Sequence, residues 1–199
     1  VKAQVLLAAL ALAAAPALAA PVEVTRFHTP ESITTLGRSA VAVVAAPGTD
    51  ATSPVATSLE ARLWMQAVEA ELAALHFAAA TPGAADAIAE VLVEREVERT
   101  ERQRGPVSVG VGGATGGWNS GLGLGLGFNL GGGARARVHT RLTVILRSRT
   151  TGLSLWEGRA ENVEREKAKL ASADQAAPRL AHALFSGFPG TSGATITVK

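Results

Sequence analysis

The sequence predicts an α+β fold: a mixed, mainly antiparallel sheet of about five strands with two helices packed on one face. A glycine-rich β-hairpin or loop insertion occupies residues 105–133. Three observations predict this. Runs of β-branched residues such as Val41, Val43 and Val44 recur between turn signals. Two stretches carry apolar residues at helical spacing. Between them lies a segment so dense in glycine that it cannot be a helix.

The chain in order begins with Lys2, an apolar run from Val5 to Ala15 and an A-x-A site at Ala17-Leu18-Ala19. A cation, a short apolar core and small residues at a cleavage site are the parts of a secretory leader, so residues 1–19 are expected to be a signal peptide. Residues 20–199 are then a single exported domain, large enough to bury a core. Pro21 to Phe27 alternates Val22, Val24 and Arg26 against Glu23, Thr25 and Phe27 and is expected to be a first or edge strand. Arg38 to Ala46, closed by Pro47-Gly48, is expected to be a buried strand.

Thr57-x-x-Glu60 has the form of a capping box, opening a helix that carries Ala61, Trp64, Met65, Val68, Leu72 and Leu75 on one stripe and ends near Phe77. Ala87 to Arg99 fits a strand, because a helix would set Glu90/Glu94, Glu94/Glu98 and Arg95/Arg99 as like-charge i,i+4 pairs. Arg135 to Thr150 repeats that alternation with the opposite sign, placing Arg135, Arg137, His139, Arg141, Arg147 and Arg149 on one face with Ile145. If these two strands are neighbours, the acidic face of one lies beside the basic face of the other, which specifies partner and register; the other reading of the arginine run is a site for an anionic lipid or polyanion. Thr150-Thr151-Gly152 is a turn and Leu153 to Glu161 the next strand, while Glu161 to Ala171 is expected to be charged and solvated. A second helix starts near Asp174 with Pro178 close to its first turn. It carries Leu180, Ala181, Leu184 and Phe185, stops at Phe188-Pro189-Gly190, and precedes a closing strand at Ala194 to Val198.

The glycine-rich insertion alternates Gly121, Gly123, Gly125 and Gly127 with Leu122, Leu124, Leu126 and Phe128, followed by Leu130. Extended, that segment has an oily face and an almost bare one. Val107, Val109 and Val111 begin the stretch with the same pattern, and Trp118 falls in the turn between the halves. These nine side chains, from Val107 through Trp118 to Leu130, are the expected contacts with a membrane or partner.

Composition narrows the function. Lys and Arg number 19 against 17 Asp and Glu, and removing Lys2 leaves 18 against 17, or about +1. So small a charge argues against a nucleic-acid partner. The absence of cysteine excludes disulfides, thiolate metal sites, a cysteine nucleophile and a lipid on an N-terminal cysteine. Tyr is absent and aromatic residues are 4%, so stacking platforms are not expected. His28, His76, His139 and His182 fall on different elements without metal-ligand spacing. No phosphate-binding glycine motif is present, and Ser192 follows a helix where a nucleophile elbow needs a strand. Catalytic, cofactor and metal residues are therefore all expected to be absent.

The order of parts carries one resemblance. An early strand, a helix, the alternating strand Ala89 to Val97, the W-x-G strand Trp156-Glu157-Gly158 and the closing segment Phe185-Ser186-Gly187-Phe188-Pro189-Gly190 resemble the domain-of-unknown-function family 4136 of bacterial envelope proteins. The resemblance implies an α+β fold and export to the envelope, with no established activity. Many members have a lipobox cysteine, which this chain lacks. The expectation is a periplasmic, non-enzymatic binding or structural module, peripheral on the outer membrane or bound to another envelope protein. The alternatives are an envelope hydrolase using carboxylates and an oligomeric pore, since a nine-residue strand approaches spanning length but one hairpin cannot span alone. Glycine content also allows a flexible linker.

Overall fold

The computed structural model describes residues 20–37, 39–46, 58–99 and 136–199. Strands β1 (Val22–Phe27), β2 (Ala40–Ala45), β3 (Ala78–Ala79), β4 (Ala87–Arg99), β5 (Ala136–Ser148), β6 (Ser154–Arg165) and β7 (Thr195–Val198) form one sheet. Their order is β3-β2-β4-β5-β6-β1-β7, with β2 parallel to β3 and β4 and every other pair antiparallel. Helices α1 (Pro30–Leu36), α2 (Leu59–Ala74) and α3 (Ala173–Phe185), with a short 3-10 helix at Lys169–Ala171, complete the described elements. The α+β class and the mixed sheet agree with the sequence expectation; the described counts are seven strands and three helices rather than about five and two.

Period-two alternation decides which side of the sheet is core. Val22 and Val24 on β1, Ala87, Ala89 and Val91 on β4, Leu142, Val144 and Leu146 on β5, and Trp156 and Ala160 on β6 are all buried. They pack with Trp64, Val68 and Leu72 from α2 and Leu180, Leu184 and Phe185 from α3 in one cluster. Residues of the other parity carry the charge. Glu94 stands opposite Arg141, Glu98 opposite Arg137 and Glu96 opposite His139, so the acidic and basic strand faces are neighbours as expected.

Several boundaries differ for identifiable reasons. Helix α2 is capped by Ser58, whose side chain accepts from Ala61 N at 3.0 Å, and it ends at Ala74 rather than near Phe77. Strand β6 runs on to Arg165, through the segment expected to be solvated. Asn162 and Glu164 are buried there, and Glu164 is held by Arg179 of α3 at 2.9 Å. Pro178 lies inside α3, beyond its first turn. Strand β1 is first in sequence but lies between β6 and β7, away from the edge. Helix α1 was not expected; Thr29 and Ser32 cap it reciprocally, with side chains accepting from each other's backbone N–H groups, and Pro30 opens it. Among the described residues, no helix is long and apolar enough to cross a membrane.

Candidate functional site

The W-x-G strand and the closing F-P segment quoted for the family resemblance meet at one place, and the contact is structural. Trp156 is fully buried, its ring stacked on Phe185 with centroids 5.3 Å apart and tilted against Phe188 at 5.3 Å. Its indole N–H donates to Pro189 O at 3.1 Å, and the Phe188-Pro189 peptide is cis. Gly158 is needed beneath that ring, because a Cβ there would lie 2.3 Å from Trp156 and 2.8 Å from Leu184. Arg26 closes the same cluster from β1. Its guanidinium donates to Leu184 O at 2.8 Å, Ala183 O at 3.1 Å and Ser186 O at 2.7 Å, satisfying carbonyls at the end of α3. Burial lowers the Arg26 pKa below the ordinary arginine value. Gly190, at φ +82°, leaves room for that side chain, which a Cβ would approach to 2.7 Å.

The candidate site lies on the opposite, charged face. Glu94 of β4, Arg141 of β5, Glu161 of β6 and Glu23 of β1 occupy one cross-strand row. Arg141 donates to Glu161 at 2.9 Å and to Glu94 at 3.1 Å. Those bonds, Glu161 first and Glu94 second, raise the guanidinium pKa above the ordinary arginine value. Around this row is a groove of about 410 Å³ lined by Glu23, Glu94, Glu96, His139, Arg141 and Glu161 and floored partly by Thr140 and Asn162. His139 Nε2 lies 3.1 Å from Glu98, outside the groove lining. Glu23 and Glu96 take no hydrogen-bond or ion-pair partner among the described residues.

A groove with four carboxylates around one guanidinium favours cationic groups and hydrogen-bond donors over anions. Glu94 and Glu161 are committed to Arg141, and no two groove carboxylates are hydrogen-bonded to each other among the described residues. Among the described residues, no group of three or more His, Asp and Glu side chains is arranged to hold a metal ion.

Val107, Val109, Val111, Trp118, Leu122, Leu124, Leu126, Phe128 and Leu130, the contact residues expected from the sequence, lie outside the described residues, as does the leader at 1–19. The four histidines are on separate elements: His28 follows β1, His76 follows α2, His139 is on β5 and His182 on α3. Ser192 is in a turn and accepts a hydrogen bond from His28 N at 3.0 Å. Sequence reasoning missed Glu23 as a groove residue. Its alternation with Val22 and Val24 places it on the charged face, but only the β1–β6 register sets it opposite Glu161.

The fold and its two faces define an α+β sheet protein with one helix-covered side and one charged side. The chain belongs to the family described as Domain of unknown function (DUF4136), whose model matches residues 37–190. It is 43% identical over 63 residues to Uncharacterized protein ZMO1243 of Zymomonas mobilis subsp. mobilis, a match covering 32% of this chain and 24% of that relative's length. Among solved structures it is similar to the PelC dodecamer from Paraburkholderia phytofirmans, at 15% identity, TM-score 0.43 and coverage of 83% of this chain and 96% of that one. It is also similar to a PDZ domain protein from Parabacteroides distasonis, at 10% identity, TM-score 0.47 and coverage of 89% and 39%.

Proposed function

We propose that this chain is an exported, non-enzymatic binding or structural module of the periplasm, whose glycine-leucine stretch meets the outer membrane or another envelope protein. The observation that carries this reading is the β4–β5 ladder. It runs without a register shift from Ala87 opposite Ser148 to Arg99 opposite Ala136. Residues 100–135 join two strand ends that are paired with each other, which supports reading them as a hairpin extension. The alternation of glycine with Leu122, Leu124, Leu126 and Phe128 gives such an extension one apolar face. The leader-like pattern of residues 1–19 supports export.

Deleting residues 107–131 tests the reading, because the flanking ends face each other and a short turn can rejoin them. The expected result is a folded body that moves from the membrane fraction, or from a crosslinked envelope complex, to the soluble fraction. A truncated chain that partitions and crosslinks as the full chain does would refute it.

A further inference from the structure

We infer that Arg137, Arg165 and Lys167, at the end of the sheet where the β4–β5 connection departs, form a contact site for an anionic lipid surface. The inference rests on the membrane reading above and adds the lipid chemistry that the body itself selects.

The first support is an accounting of the basic side chains of β5 and its neighbours. Arg141 is held by Glu94 and Glu161, Arg147 donates to Glu90 at 2.8 Å, and Arg149 donates to Ala85 O. Arg159 lies 3.9 Å from Glu161. Arg137, Arg165 and Lys167 are exposed and take no hydrogen-bond or ion-pair partner among the described residues. Among the described residues of β5 and β6, the uncommitted cations thus lie at one end of the two strands.

The second support is register. Arg137 and Arg165 are direct cross-strand partners on the same face, a like-charge pair that costs stability in an antiparallel ladder. The nearby acids relieve it only in part. Glu98 stands opposite Arg137 but also faces His139, whose Nε2 lies 3.1 Å away, and Glu166 is paired with Arg99 at 3.7 Å. Glu96, one same-face row away, is the nearest unpaired carboxylate on β4 and faces the acidic groove. A surface rich in lipid phosphates supplies the counter-charge that the fold leaves out.

The third support is placement. Glu166 N bonds to Ala136 O at 3.0 Å, so the turn carrying Lys167 is tied to the first residue of β5. Cations beside an apolar membrane-contacting element act as the second of the two signals that stable peripheral attachment needs. Their contribution weakens with salt.

Flotation of the full chain with two kinds of vesicle tests this: phosphatidylcholine alone, and phosphatidylcholine with about one third phosphatidylglycerol, where each surface cation contributes a factor of roughly five. The expected result is tighter binding to the anionic vesicles, reduced roughly 25-fold in the double variant Arg137→Gln/Arg165→Gln. High salt should erase the preference. Arg147→Gln removes the same type of charge from a paired position and should leave the preference intact. Thermal melting of the double variant should match or slightly exceed the parent, because a repulsive pair is gone. Deletion of 107–131 should weaken binding to both vesicles while keeping the anionic preference.

Equal binding of the full chain to both vesicles would overturn the lipid inference and leave the hairpin reading standing. A double variant that keeps its preference, or an equal loss in Arg147→Gln, would overturn it as well. Binding to soluble polyphosphate as tight as to anionic vesicles would replace the lipid surface with a polyanion. Failure to bind either vesicle would overturn the lipid inference together with membrane contact.

Discussion

Gly158 stands where a methyl group would collide with Trp156: an added Cβ would sit 2.3 Å from the indole ring. The W-x-G pattern is therefore a packing rule, in which the glycine two residues on accepts the tryptophan ring folded back over the strand. Gly158→Ala should destabilise the body by about 3 kcal/mol, the upper range for overpacking a filled core. Urea unfolding followed by tryptophan fluorescence measures it. A change below about 0.5 kcal/mol would mean that the ring and Leu184 shift aside freely.

Arg26 joins β1 to the end of α3 through three carbonyls, and no shorter or unbranched cation reproduces that fork. Arg26→Met should cost about 3 kcal/mol or more, since buried carbonyls lose charged donors. Arg26→Lys should recover less than half of that. Equal stability of the lysine and arginine forms in chemical denaturation would contradict the geometry.

The two kinds of ion pair in the sheet should behave differently. Glu164 and Arg179 side chains are 11% and 18% exposed, whereas Glu94 and Arg141 are 55% and 45% exposed. Glu164→Gln leaves a mostly buried guanidinium without its charge partner and should cost about 2 kcal/mol or more. Glu94→Gln should cost under about 1 kcal/mol, and 1 M salt should remove most of that difference. Paired unfolding curves at low and high salt distinguish them.

A local acid sensitivity is expected from the first turns of α1 and α3. The Glu31 pKa is lowered by its own backbone N–H and then by Thr29; that of Asp174 is lowered by Ser172 and then Gln175. Ser172 has a single hydroxyl proton, for which Lys169 O at 2.6 Å competes, so Gln175 at 3.0 Å is the firmer partner of Asp174. Carboxylates held below their unfolded pKa contribute stability in full above the unfolded value and lose it as pH falls through the folded one. Stability should therefore drop on the acid side of the ordinary carboxylate range. Asp174→Asn should flatten that drop in a pH series of thermal melts, while an unchanged slope would assign the acid loss to other groups.

Much of this architecture was legible because alternation and charge agreed. Strands β4 and β5 each carry one apolar face and one charged face of opposite sign, so the core side and the meeting of acidic and basic faces were readable, while the residue-by-residue register was not. The charged face was visible for the same reason, but its groove was not, because Glu23 joins it only through the β1–β6 register. Strand β3 is two exposed alanines, and no side-chain pattern marks so short a piece. The end of β6 was hidden by composition: Glu164 looks solvated until Arg179 of a later helix is placed beside it. Helix α1 carried a readable signal in Thr29-Pro30-Glu31-Ser32, where a capping pair flanks an N-terminal proline.

The most direct measurement compares the full chain with a chain lacking residues 107–131 in vesicle flotation, alongside thermal melts of both. The shortened protein should melt within a few degrees of the parent, equivalent to less than about 1 kcal/mol, and should no longer float with phosphatidylcholine vesicles that carry the parent. A shortened protein that floats as well as the parent would contradict the hairpin reading. So would a collapsed melting temperature, which would place those leucines in the body's own interior.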